Sequence, residues 1–513
     1  MQRKAIRTTK YDNFKGVDFS TDPTLVDGSH SPWAPNLISD LNGVPEKRAG
    51  WKEIAKADDK INGIFDSPYY EVLVHAGNKL YRYGTSTETF MHTYTGMNDA
   101  YSAGVIFFGD VYIFDGANVI RRTGTGVSRM SESAYAPLTV IARDPAGGGV
   151  SYEPINMAGG GQRVRFLADG TSTDYKLPYD EVDSIDMVTV NGEEQSSGWT
   201  AIPESGVVRF DTAPSAPAAG AEDNVEIQFA KSNQDYYNRI NKCTIAVVWG
   251  ANGQSDRIIA SGNPNYPNYD FISAYGDGTY WPDTGYSVIG SDLSPIMGYR
   301  RLGEYLAIIK RVDGRDSKIF IRSSAVNADG ETIFPVKPAI ADIGAISKFG
   351  FGHIGDEQLF LSSDGVYALT TNSLTAERVA QNRSIYVNAK MRTEVLKWAV
   401  CCSWNGCLLV FINGHVYGLD GRQARRYTSR NDTNFVYECF YWDDVPARCV
   451  LNAKDSNGRE NLYFGTNDGR FCHFKHENTT LKRFNDEYTE DGETVERAIA
   501  ASWATKATTM ETR

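Results

Sequence analysis

The most regular signal along the chain is an apolar run, a glycine-centred turn, and a second run that opens on an apolar or aromatic residue. It occurs as VLVHAGNKLYRY (72–83), VYIFDGANVIRR (111–122), LFLSSDGVYALT (359–370), LLVFINGHVYGLD (408–420) and LYFGTNDGRFCHF (462–474). Each predicts one β-hairpin. Asp-Gly and Asn-Gly supply the positive φ angles that two-residue hairpin turns require, so Asp115-Gly116, Asp364-Gly365, Asn413-Gly414 and Asp468-Gly469 mark the expected crossings.

The turn glycines fall at 77, 116, 365, 414 and 469, with intervals of 39, 49 and 55 residues within the early and late groups. Repeats of about 40–50 residues, each supplying four short strands, are what propeller blades need. Fainter copies at 244–261 and 305–322 bring the expected number to six or seven blades. The uneven spacing leaves open a sandwich or several small β domains built from the same hairpins.

One block breaks the pattern. After the AGGG runs at 146–149 and 158–161 come five strand-like segments, RVRFLAD, DYKLP, IDMVTVNG, GVVRFDT and VEIQFAK, ending near the Pro/Ala-rich stretch at 213–223. Glycine-rich and Pro/Ala-rich borders commonly flank an insertion, so a small β-sandwich is expected at 150–232. It would separate an N-terminal segment with the first blades (1–145) from the remaining blades (233–513). Helical periodicity is scarce. The best candidate is 384–400, with Ile385, Ala389, Val395 and Trp398 at near-helical steps, and it reads as a connector.

Composition agrees with an all-β chain: of 513 residues, 12% are aromatic and 48 are glycine, and long Ala/Leu/Glu/Lys stretches are rare. The formal charge of −12 repels phosphates, which disfavours a sequence-reading DNA binder but suits a conduit along which DNA slides without sticking. No apolar run follows the basic N-terminus, and Thr244–Trp249 is far shorter than the ~20 residues of a membrane span. The expectation is a protein made in a cytoplasm and not inserted in a membrane. Seven cysteines with no CxxC spacing point to reduced thiols.

No candidate for chemistry survives its spacing. Cys401 and Cys402 are adjacent, so on a strand they point to opposite faces and cannot share one ion with Cys407. His473 and His476 follow Cys472 without a second half-site. The acidic run 485–496 fails the ligand order of a calcium loop and reads as a hairpin turning at Asp491-Gly492. The Gly/Thr stretch at 122–126 lacks the Lys-Ser/Thr of a phosphate loop and reads as a turn. Asp443-Asp444 and Asp58-Asp59 are sequence neighbours that would point apart, unlike the facing carboxylates of a glycosidase. No catalytic, cofactor-binding or metal-ligating residue is therefore assigned, and no cofactor.

The segment 11–51 resembles the opening of the tail nozzle, tail tubular protein B and packaged-DNA stabilisation (head–tail stopper) proteins of tailed phages. Asn36, Asp40, Gly43, Lys47, Arg48, Gly50 and Trp51 carry the likeness. The segment NPNYPNYDFISAYGDGTYWPDTGYSVIG (263–290) is similar to their mid-chain region, and FLADGTSTDYKLP in the inserted block resembles a sandwich found in phage tail proteins. Members of the family often continue with further C-terminal strands beyond the point where this sequence ends. The resemblance implies a homo-oligomeric ring of about six subunits in the virion. That ring would contact the portal or adaptor and other tail proteins and enclose a channel for double-stranded DNA. Tyr and Trp would serve the subunit contacts. The channel-lining residues are unknown from sequence. The alternative function is a tail-associated propeller that binds or cleaves host surface glycans. The fold expectation is thus all-β: an irregular six- or seven-bladed β-propeller with an inserted small β-sandwich.

Overall fold

The computed structural model describes the chain except residues 1–12, 40–42, 219–222, 314–317, 372–377, 430–431, 456, 476–482 and 508–513. Two compact units are present, Met1–Ala100 with Gly290–Arg513, and Tyr101–Ile289. The fold is all-β and of β-propeller type: among the described residues five antiparallel four-stranded sheets recur, three in the first unit and two in the second, and the first unit adds two six-stranded sheets.

The clearest hairpins are those whose turns match the sequence signal. Cys407–Ile412 pairs with His415–Ser429 across Asn413-Gly414, whose φ angles are 50° and 82°, the two positive values that a tight turn of this type requires. Trp404 and Cys407 are joined in the same way by Asn405-Gly406, and Glu490 and Glu493 by Asp491-Gly492. The expected Asp468-Gly469 crossing lies in a longer loop, since Gly465 pairs with Phe471 and the Thr466 amide donates to the Arg470 carbonyl. Two other expected crossings shift. Ser362 pairs with Gly365, so the turn there is Ser363-Asp364 and the glycine opens the next strand. Phe114 pairs with Val119, leaving a four-residue loop in which the Asp115 carboxylate accepts from the amides of Ala117 and Asn118. In both places an Asp side chain or a strand end takes the position that a bare Asp-Gly signal assigns to the turn.

Within the first unit the sheets stack face against face, and side-chain alternation shows how. Along Cys407–Ile412 every residue is buried. Leu408, Val410 and Ile412 join one core with Leu359, Leu361 and Val366 of the preceding sheet. Cys407, Leu409 and Phe411 join another with Leu462, Phe464 and Cys472 of the following sheet. The strand Glu357–Ser362 repeats the device, with Phe360 turned towards Met297, Ala307 and Ile309 of the sheet before it. A period of two thus distributes one apolar run between two interfaces, which is how a blade is held by both neighbours. The last of these sheets, Cys449–Lys454, Glu460–Gly465 and Arg470–Phe474, receives its fourth strand from the other end of the chain, Trp51–Lys56. A second hairpin, Asn485–Glu490 with Glu493–Ala498, extends the same sheet.

In the second unit the sheets Ala103–Arg129 and Ile245–Val288 share a core of Phe114, Ile258, Phe271 and Trp281. Between them in sequence lie a six-stranded and a three-stranded sheet that pack Val164, Phe166, Tyr175, Val208, Ile227 and Phe229 together as a small sandwich. Its strand Leu138–Arg143 starts ahead of the expected border at 150.

Two helical features depart from expectation. The 384–400 stretch forms only a four-residue helix, Asn388–Met391, and a 3-10 turn, Leu396–Trp398. All four marked residues, Ile385, Ala389, Val395 and Trp398, are exposed, whereas the buried apolar residues are Val387, Met391, Leu396, Ala399 and Val400, so the near-helical spacing does not mark a core face. A two-turn helix without a sequence forecast, Gln234–Asn241, begins where the Asn233 side chain accepts from the amides of Asp235 and Tyr236.

Leu361→Ala should lower the stability of the first unit by about 2–5 kcal/mol, the range for truncating a fully buried leucine, measured as a shift in the urea midpoint. An unchanged midpoint would contradict the two-faced packing.

Candidate functional site

The residues that carry the N-terminal likeness converge in one buried cluster. Asn36 adopts positive φ (60°). Its side-chain oxygen accepts from Arg48 Nε at 2.9 Å and from the Asp443 amide at 2.9 Å, while its Nδ2 donates to the Ala500 carbonyl at 2.8 Å. Arg48 is fully buried. Its two terminal nitrogens make paired 2.9 Å contacts with the two carboxylate oxygens of Asp486, and they also donate to the carbonyls of Ala49 and Asp443 at 3.1 Å. Asp486 accepts in addition from the Trp51 amide, and the Trp51 indole donates to the Asp444 carbonyl.

Each donor of the guanidinium therefore has an acceptor, the condition under which a buried charge is tolerated. Gly50 has a separate reason to be glycine: a Cβ there would lie 2.0 Å from the Asn485 carbonyl oxygen. Lys47 reaches the Ile499 carbonyl. Gly43 has positive φ, and its carbonyl accepts from the Phe14 amide. Asp40 lies outside the described residues. The C-terminal segment runs along the N-terminal one: the Ala504 amide donates to the Trp33 carbonyl, the Ala504 carbonyl accepts from the Ser31 hydroxyl, and Phe14 meets Trp503 edge-on at 5.4 Å.

The mid-chain segment is likewise structural in its contacts. Asn263 Nδ2 donates to the carbonyls of Asn238 and Arg239, closing the end of the helix Gln234–Asn241. Tyr266, Tyr269, Phe271 and Tyr286 form an aromatic row, and Arg239 lies over the Tyr236 and Tyr266 rings. In the sandwich, Asp169 of FLADGTSTDYKLP accepts from the amides of Thr171 and Ser172 and forms a turn.

The groups weighed for chemistry separate. Cys401 packs into one inter-sheet core, Cys402 and Cys407 into the other. Burial pushes all three thiols up to about 12, and among the described residues no three His, Cys, Asp or Glu side chains gather as metal ligands. His473 sits in Arg470–Phe474, and His476 lies outside the described residues. Residues 122–126 end one strand and turn into the next, Val127–Arg129. Asp58 pairs with Lys79, and Asp444 with Arg497. Of the nine tryptophans, Trp51, Trp249, Trp281 and Trp442 are buried, while Trp33 and Trp398 are exposed.

No family model and no curated protein matches the chain. The chain is similar to solved structures at low identity. The computationally designed Ika8 protein shares 8% identity with a TM-score of 0.35, covering 83% of this chain and 100% of that one. BBS1N in its complex with ARL6DN shares 9%, with a TM-score of 0.38 over 85% and 99%. The AfRom2 CNH domain shares 5%, with a TM-score of 0.37 over 83% and 100%.

Two outcomes follow. Asp486→Asn leaves the Arg48 charge buried and uncompensated and should cost about 3–5 kcal/mol, while Arg48→Met with Asp486→Leu should cost less than either single change. Urea unfolding measures both, and single variants that unfold with the wild type would contradict the cluster's role. His75 is buried in Glu71–Ala76, 2.9 Å from the Gly77 carbonyl, and burial pulls its imidazole down from 6.5 to about 4. The unfolded chain binds this proton more readily than the folded one, so the contribution of neutral His75 is complete above pH 6.5 and is lost as pH falls towards 4. The urea midpoint of His75→Gln should fall less steeply than that of the wild type across this window, and equal slopes would contradict the assignment.

Proposed function

We propose that this chain is a structural subunit of a tailed-phage virion, a tail nozzle or head-to-tail closure protein that lines the DNA exit channel and retains or guides the packaged genome. The observation that supports this reading best is the role of the motif residues. Asn36, Arg48, Gly50 and Trp51, which carry the likeness to that family, are engaged in joining the two ends of the chain. A motif used in architecture suits a protein whose work is to hold a shape. Strands completed from both termini leave fewer free sheet edges, and hydrogen-bonded sheets of that kind resist the load of packed DNA.

On this reading the chain assembles as a homo-oligomeric ring against the portal or adaptor, in contact with other tail proteins, and has no catalytic role. The net charge of −12 suits passage of DNA without adhesion. Exposed Tyr70, Tyr152, Tyr275 and Trp398 are amphipathic side chains suited to subunit contacts.

Quantitative mass spectrometry of purified particles tests the reading. About six or twelve copies per portal ring are expected for an axial ring. Absence from the particle, or a count matching peripheral trimers, would overturn it in favour of a propeller that binds or cleaves host surface glycans.

A further inference from the structure

Beside the Arg48–Asp486 cluster, a clasp between the two ends of the chain, the first unit holds a cavity of about 440 Å³ between the sheet containing Cys407–Ile412 and the last sheet, with Ala49 in its lining. Its size is that of a small-molecule site. The wall is aromatic and already ordered: Trp442 stacks on Phe440 with ring centroids 5.0 Å apart, and Trp404 and Trp442 both pack on Phe474, at 6.0 and 5.7 Å. Leu409 and Ile38 complete the apolar lining.

The polar lining is one-sided. Arg422, Arg459, Lys475 and Arg483 face a single carboxylate, Glu460. Three of these cations are held by acids: Arg422 by Asp420 at 2.8 Å, Lys475 by Glu487 at 3.3 Å and Arg483 by Glu46 at 2.9 Å. Arg459 makes no ion pair among the described residues. The indole Nε1 of Trp404, that of Trp442 and the Nε of Arg483 are buried donors with no acceptor among the described residues. Trp442 as a whole is 3% exposed. A buried N–H without an acceptor weakens folding, and such groups are rare enough to demand an explanation.

A lining rich in cations, one of them without an ion pair among the described residues, calls for acceptor oxygens, and flat aromatic walls call for a planar apolar body. We propose that this cavity binds a small aromatic anion, an aryl phosphate or aryl carboxylate. The ring lies against Trp404 and Trp442, and the anionic group is taken by Arg459 and Arg483. Cation and ring act together: the guanidinium groups meet the charge, and the aromatic faces exclude water from it. The site is independent of the virion reading, because it rests on one unit of the chain and on no assembly.

Isothermal titration of the full chain with naphthyl phosphate, naphthoate, naphthol and inorganic phosphate tests the proposal. Saturable one-to-one binding of at least one of the two aryl anions is expected, with naphthol and inorganic phosphate each about tenfold weaker or more. The comparison of naphthyl phosphate with naphthoate identifies the preferred anionic group. Arg459→Gln changes an exposed side chain and should keep the fold while weakening the better ligand about tenfold. Trp404→Leu should weaken it through the ring, with a thermal melt to verify folding. No saturable binding of either aryl anion up to about 1 mM, or equal binding by wild type and Arg459→Gln, would overturn the proposal. Binding of an acidic peptide in place of both aryl anions would also overturn it and mark the cavity as a protein-docking site.

Discussion

The buried Arg48 guanidinium is the constraint on which the closure of the first unit depends. A charge removed from water is costly unless its donors are matched, and a buried pair contributes more to which arrangement forms than to how stable it is. Besides the carbonyl of its neighbour Ala49, Arg48 is matched only when three separated pieces meet: Asn36 in the N-terminal segment, the Asp443 carbonyl after a long strand, and the Asp486 carboxylate in the final hairpin. Arg48 and Asp486 are 438 residues apart in sequence. A strand order that kept Trp51–Lys56 away from Arg470–Phe474 would leave that charge unmet, so the ion pair selects the sheet in which both ends of the chain take part.

Around this closure the remaining organisation follows from strands that are apolar on both faces. Cys407–Ile412 and Glu357–Ser362 each divide their apolar side chains between two cores, and Cys407–Ile412 keeps no solvent-facing side for polar residues. The aromatic content has the same origin. Trp51, Phe464, Phe474 and Trp442 fill one inter-sheet layer, so much of what composition suggests for surface contacts is in the interior. The 440 Å³ cavity opens at the margin of that layer, where large rings meet charged side chains and cannot close over each other.

The hairpins were legible because their signals are local. Asn413-Gly414 needs only its own φ angles and an apolar run on either side, and the strands at 72–83, 111–122, 359–370, 408–420 and 462–474 all pair as antiparallel hairpins. The fainter copies at 244–261 and 305–322 do so too. Turn positions were less legible: Asp115 and Asp364 mark loops whose bonds run to amides two and three residues on, or whose glycine begins a strand. The helix Gln234–Asn241 escaped notice because its sequence is polar and short, and only the Asn233 cap and the Asn263 amide at its far end signal it.

The clasp itself was half visible. Asn36, Arg48, Gly50 and Trp51 could be picked out as a pattern, but their partners Asp443, Asp486 and Ala500 carry no local mark that separates them from other surface-type residues. Trp404, Arg459 and Arg483 of the cavity belong to different strands and loops, and a pattern read along the chain does not bring them together.

Hydrogen exchange followed by mass spectrometry tests the closure most directly. If the clasp holds the two ends of the chain, amides of Trp51–Lys56 exchange as slowly as those of the central strand Cys407–Ile412, and they lose protection together with Asn485–Glu490 when Asp486 is replaced. Rapid exchange of Trp51–Lys56 in the wild type, with Cys407–Ile412 still protected, would contradict the account.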